Sequence, residues 1–170
     1  MGLIRLQSSS LPSGSVLQVK HAVKTDAQTI TVNVPTFEDV SGLSITITPS
    51  SASSKILVMY SVVMANGSDQ SHGYIKVLRG STDLNIADTA SNRTRAASVV
   101  NTGQGGETHT VSNTFLDSPN TTNATTYKIQ AGTNNTNSTN NFINRSQRDQ
   151  DNAGYDGRMI STMCVLEIAG

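Results

Sequence analysis

Tryptophan is absent, cysteine occurs once, and aromatic residues make up only 4% of the 170-residue chain. Charge is scarce too, at 14%, and apolar residues reach 35%. Ordinary globular chains run nearer to about 25% and 45–50%. Lys plus Arg (12) equals Asp plus Glu (12), so the formal net charge is zero. Each shortage excludes something. A neutral chain has no electrostatic footprint for DNA or RNA. No apolar run approaches the length of about 18 residues that spans a bilayer, so no membrane insertion is expected. No basic segment followed by an apolar one marks a signal peptide. A single cysteine, Cys164, leaves no disulfide within the chain. It sits in TMCVLEIAG and reads as a small buried hydrophobe rather than a nucleophile.

Ser, Thr and Asn fill the gap, at about a third of the residues. They depress helix formation, and with Val and Ile they favour strands and turns. The apolar period is 2 nearly everywhere. Strands are expected at 15–23, 29–34, 43–48, 55–65, 72–79, 108–116, 124–131 and 158–169. Shorter ones are expected near 83–87, 96–100 and 142–143. Pro35 and Pro49 end two of them, and Asn66-Gly67 marks a turn. No window carries an apolar stripe at helical spacing. Many short strands with frequent turn signals predict an all-β chain, a single-domain antiparallel β-sandwich, jelly-roll-like. Residues 1–13 form a leader or arm, and 14–170 the sandwich domain. Leu3, Ile4, Leu6 and Leu11 are the arm's candidate anchoring residues.

Two strands are apolar on both faces. In 55–65, Ile56, Val58, Tyr60, Val62 and Met64 share one face, and Leu57, Met59, Ser61, Val63 and Ala65 the other. In 158–169, Ile160, Cys164, Leu166 and Ile168 oppose Met159, Met163 and Val165. A sandwich strand with one solvated face alternates apolar and polar residues. Something therefore covers the second face: a helix or long loop, or copies of the same chain. With no helix available, copies are the stronger reading, and a homotrimer suits a two-sided sheet near an axis. Met59, Val63, Met159, Met163 and Val165 are the candidate oligomer interface.

Catalytic chemistry is not advertised. His21, His72 and His109 lie in separate strands with no ligand-spaced neighbours, and no nucleophile-elbow, zincin, P-loop or dinucleotide motif occurs. Glu38, Asp39 and Glu107 are the weakest of carboxylate candidates. No enzyme activity and no cofactor are expected. Asp149, Asp151 and Asp156 could ligate Ca²⁺, but the spacing is not that of an EF-hand. Arg145, Arg148 and Arg158 could equally pair with them. Asn-x-Ser/Thr triplets at Asn92, Asn120, Asn134 and Asn144 follow from composition. The polar stretch 133–157 reads as a solvated loop, or as a weak contact surface for a host-surface glycan or another coat protein.

Five phrases occur in a fixed order: GSVLQV (14–19), TFEDVSGLSITITPSSASSKI (36–56), YIKVLRGST (74–82), FLDSPNTTNATTYKIQ (115–130) and VLEIA (165–169). Together they resemble short virion-associated structural proteins, tail-fibre-like or decoration proteins, of tailed phages of marine bacteria, cyanophages among them. The resemblance spans nearly all of the chain after residue 13. It implies a non-enzymatic structural protein of a bacteriophage virion, assembled in the host cytoplasm and displayed on the particle. Its partners would be other virion proteins of capsid or tail. Capsid decoration or cement, and a tail fibre or receptor-binding knob, are the two roles it allows. The leader and the 133–157 segment depart from the family pattern. The alternative is a soluble carbohydrate-binding β-sandwich module, disfavoured by the shortage of aromatic platforms.

Overall fold

Alternation decides the strands. In β3 (Glu38–Ile47), Val40, Leu43, Ile45 and Ile47 are buried while Ser44 and Thr46 are exposed. The break in parity falls at Gly42, whose φ of 80° accommodates the register shift between Asp39 and Ser44. The computed structural model describes residues 11–68, 71–101, 107–134 and 140–170. Leu3, Ile4 and Leu6 lie outside these residues.

Around β3 the chain runs through β1 (Val16–Lys24), β2 (Gln28–Ile30), β4 (Lys55–Asn66), β5 (Gly73–Arg79), β6 (Thr82–Leu84), β7 (Ser98–Val100), β8 (His109–Asp117), β9 (Thr125–Thr133), β10 (Asn141–Ile143) and β11 (Ser161–Ile168). No α-helix occurs among the described residues. The strands form two antiparallel sheets, of six and five strands. In the first sheet, β4 pairs β8 along one edge and both β11 and β10 along the other. β11 continues to β1, and β10 to β2. In the second sheet the order is β3, β9, β5, with β6 and β7 sharing the far edge of β5. The pairing is nested. The first strands pair the last, β3 pairs β9, β4 pairs β8, and β5 pairs β6 and β7. This is the jelly roll that the alternation suggested.

The expected strand over 29–34 stops at Ile30. Beyond it the chain crosses to the second sheet, where Val34 N–H donates to Thr133 O and Thr133 N–H to Val32 O. Pro35 brings no N–H to extend a ladder. The core lies between the sheets. Ile56, Val58, Tyr60, Val62 and Met64 of β4 meet Ile75 and Val77 of β5, Tyr127 and Ile129 of β9, and Ile45 and Ile47 of β3. Each such side chain contributes roughly 1.5–3 kcal/mol on burial.

Met163 and Val165 belong to this core, both fully buried within a single chain. They are not interface residues. Alternation tells which residues of 158–169 share a face, and both faces are apolar, so it does not tell which face points inward. Polar ends settle that. Ser161 and Glu167 flank Met163 and Val165 on the inward row, and both are hydrogen-bonded inside. Ser161 Oγ donates to Asn144 Oδ1 at 2.6 Å and accepts from Val63 N–H at 3.0 Å. Glu167 accepts from Gln18 Nε2 (2.6 Å), Ser50 N–H (2.6 Å), Ser50 Oγ (2.7 Å) and Ser54 Oγ (2.7 Å).

Candidate assembly surface

The outer face of the first sheet carries the remaining expectations. The registers place its side chains in rows across β1, β11, β4 and β8. One row is Val19, Leu166, Leu57 and Leu116. The next is His21, Cys164, Met59 and Thr114. A third is Val23, Thr162, Ser61 and Ser112. None of these twelve residues is Asp, Glu, Lys or Arg. Val19, Val23, Met59 and Leu116 are exposed, Leu116 to 56%. A trough of about 300 Å³ runs between Met59, Ser61, Ser112, Thr114, Thr162 and Cys164. Cys164 is half-buried here rather than in the core. Partial burial pushes its thiol pKa up, away from the reactive thiolate.

The two readings of the second face of β4 each hold for part of it. Towards its C-terminal end, Val63 and Ala65 are buried by the chain itself. β10 places Phe142 beside Ala65 on the outer side, and the Arg145 guanidinium lies 3.9 Å from the Phe142 ring centroid. Gln147 Nε2 donates to Gly67 O at 2.6 Å, which ties the following loop to the end of β4. At the other end, no segment among the described residues covers Leu57 and Met59 in this way. Of the candidate interface residues, then, Met59 lies on the open face and Val63 under the loop. Met159 is half-buried in the loop before β11, its N–H donating to Asn144 O. Leu57, Leu116, Val19 and Leu166 were missing from the expected set. Only the cross-strand register gathers them into one row.

Asn144 anchors this covering segment. Its φ of 62° is left-handed. Its amide donates to Lys24 O (2.9 Å) and Asp26 O (3.0 Å), and its backbone N–H to Val63 O. β1, β4 and β11 thus meet at one buried residue, β1 and β11 through its side chain and β4 through its backbone. The loop itself is held by arginines. Asp156 accepts from Arg148 Nε at 3.0 Å and from Ser146 Oγ at 2.5 Å, and these two partners hold its carboxyl below the usual range. Asp149 pairs with Arg158 and, at 3.4 Å, with Arg145. Asp151 is exposed. Two of the three candidate calcium ligands are therefore committed to guanidinium groups. No group of three or more His, Cys, Asp or Glu suited to a metal occurs among the described residues.

Of the arm's candidates, Leu11 is half-buried and lines a cleft with Leu17, Ser50, Ser54 and Ala169. The adjoining residues are tied to the C-terminal segment: Gly14 N–H donates to Ala169 O, and Ala169 N–H to Ser15 O, both at 2.8 Å. Of the weakest catalytic candidates, Asp39 accepts from Gln130 and Lys128, and Glu38 from Thr31 N–H. Burial raises the Asp39 carboxyl, and those two bonds more than offset it.

No family model matches the chain, and no curated protein does. Among solved structures it is similar to a chain in the structure of infectious bursal disease virus Gt strain, with a TM-score of 0.52 and 13% identity. The match covers 100% of this chain and 43% of that one, so the chain spans less than half of its neighbour's length. At this identity the likeness bears on the fold alone: an all-β sandwich of two antiparallel sheets.

Proposed function

We propose that this chain is a non-enzymatic structural protein of a tailed-phage particle, displayed on its surface and assembled as a homotrimer. The observation that carries the reading is the uncharged outer face of the first sheet. Isolated apolar residues on a surface are ordinary, but an apolar row that continues across four strands, Val19, Leu166, Leu57 and Leu116, beside uncharged neighbours marks a contact site. The resemblance to virion-associated phage proteins and the fold shared with a chain of a virus structure support the setting.

Size constrains the assembly. Four strands about 4.8 Å apart and three rows about 6.8 Å apart give a footprint of roughly 400 Å². A stable interface takes about 800 Å² from each partner. The face alone therefore falls short, and a second contact is required. The arm supplies it in this reading, since residues 11–15 sit against the C-terminal segment at the end of β1 and β11 that adjoins the Val19 row.

Light scattering of the purified chain is the test. A mass of three chains at micromolar concentration is expected, and a mass of one chain of 18.0 kDa would overturn the assembly. Copy number per particle then separates the two positions, with hundreds for a shell-decorating protein and a handful for a tail fibre.

A further inference from the structure

We propose that the cleft between the 34–37 loop and the 86–95 segment, on the outer side of the second sheet, binds an acidic saccharide, a sugar unit bearing a carboxylate or sulfate. The cleft holds about 450 Å³, within the range of ligand sites. Val34, Pro35, Phe37 and Ile86 form an apolar wall, and Lys76, Asp83, Arg93 and Arg95 bring charge to it.

The arginines are the argument. Arg79, Arg145, Arg148 and Arg158 each pair with a carboxylate. Arg93 and Arg95 make no ion pair among the described residues, and both line this one cleft. Among the described residues each is steadied by a backbone carbonyl alone: Arg95 Nε donates to Ala87 O at 2.6 Å, and Arg93 Nη1 to Ala90 O at 3.4 Å. Their remaining donors suit a carboxylate or sulfate in bidentate fashion. Lys76 is already engaged, 2.8 Å from Asp83 and 4.4 Å from the Phe37 centroid. Even with that pair cancelled, the cleft keeps two unpaired cations in a chain of zero net charge.

Saccharide chemistry fits the rest of the lining better than an acidic peptide does. Ser91, Asn92 and Thr94 alternate with the arginines and offer hydroxyl and amide partners to ring hydroxyls. Pro35, Phe37 and Ile86 offer a surface for the apolar face of a ring. One ring face of Phe37 is taken by Lys76, so affinity comes mainly from charge and falls with salt. The cleft lies on the opposite sheet from the assembly face, so the proposal stands whether or not the chain trimerises. On a particle, weak single sites add through multivalency.

Oligogalacturonate, heparin oligosaccharide, neutral dextran oligosaccharide and oligoglutamate, titrated into the ¹⁵N-labelled full chain at low salt, test this. Shifts at 91–95 and Phe37 with either or both of the first two probes, and none with dextran, are expected. The double variant Arg93→Ala/Arg95→Ala should weaken binding by at least about tenfold. Lys20→Ala removes an exposed cation on β1 and should leave affinity within about twofold. Oligoglutamate binding as tightly at the same residues would overturn the saccharide assignment in favour of an acidic peptide. Absence of shifts with all probes, or shifts centred elsewhere, would overturn the site. Because the shifts are read on the unsubstituted chain, the result holds even if the double variant misfolds.

Discussion

Glu167 is a buried carboxylate with no cationic partner among the described residues, and its removal should show how such a charge is tolerated. It is 1% exposed and accepts four hydrogen bonds, three of them at Oε1 from Ser50 and Ser54. Burial alone would raise its pKa, but the bonds from Gln18, Ser50 and Ser54 outweigh burial and hold it below the usual value. Hydrogen bonds to a charged group contribute about 1.5–3 kcal/mol each, and they are not additive. Glu167→Ala orphans all four donors. Gln18 and Ser50 lie near the surface and recover part of the loss from water, which leaves about 2–4 kcal/mol. Glu167→Gln keeps the Oε1 set but turns its NH2 toward the Gln18 NH2, which must flip and give up its bond to Thr48 O, for about 1–2 kcal/mol. The sign in pH follows from the lowered folded pKa. The stabilisation by ionised Glu167 is complete above the unfolded carboxyl value of about 4.3 and is lost as pH falls through the lower folded value. Urea denaturation of the three proteins at pH 7 and near pH 3 measures this. The gap between wild type and Glu167→Gln should narrow at low pH. An Ala variant within 0.5 kcal/mol of wild type at pH 7 (roughly the surface-substitution range) would refute the reasoning, and so would a gap indifferent to pH.

Met59→Asp and Leu116→Asp should abolish assembly while leaving the monomer's melting temperature nearly unchanged, whereas Met163→Asp places a charge in the core and should prevent folding, all read by light scattering and circular dichroism. Asn144→Ala removes the amide bonds to Lys24 and Asp26 and strands the Ser161 hydroxyl, and chemical denaturation should show a loss of about 2–4 kcal/mol. Millimolar Ca²⁺ should leave the melting temperature unshifted, since Asp149 and Asp156 are held by arginines; a rise of several degrees would show that the ion displaces them.

The strand pattern was legible because alternation is a local property. Even the short β10 at Phe142 and Ile143 was visible as two apolar residues in a polar stretch. What sequence did not reveal depends on contacts between distant segments. Met163 and Val165 were assigned outward because inward and outward rows of β11 are equally apolar. The deciding groups, Ser50, Ser54 and Asn144, lie between 17 and 117 positions away along the chain. Leu116 seemed an ordinary strand residue, and it becomes part of a row only through its pairing with Leu57. The arginine pairing in 145–158 was readable because acids and bases lie close together there. The isolation of Arg93 and Arg95 was not, since it depends on where every other carboxylate has gone.

The nested strand order leaves each sheet with two open sides, and most of them are broken. One side of the first sheet is split between β1 and β2 at residues 25–27, and one side of the second between β6 and β7 by residues 85–97. The β3 side is kinked at Gly42. Interrupted borders make poor templates for adding foreign strands. β8 alone offers nine uninterrupted residues, with no charged side chain between His109 and Asp117. A neutral protein held at high local density has little long-range repulsion to keep copies apart. Among the described residues no strand pairs the outer edge of β8, where Asn113 Oδ1 takes the Thr114 N–H at 2.7 Å, so this edge is the place where misassembly by strand addition would begin, and where a single lysine would protect most.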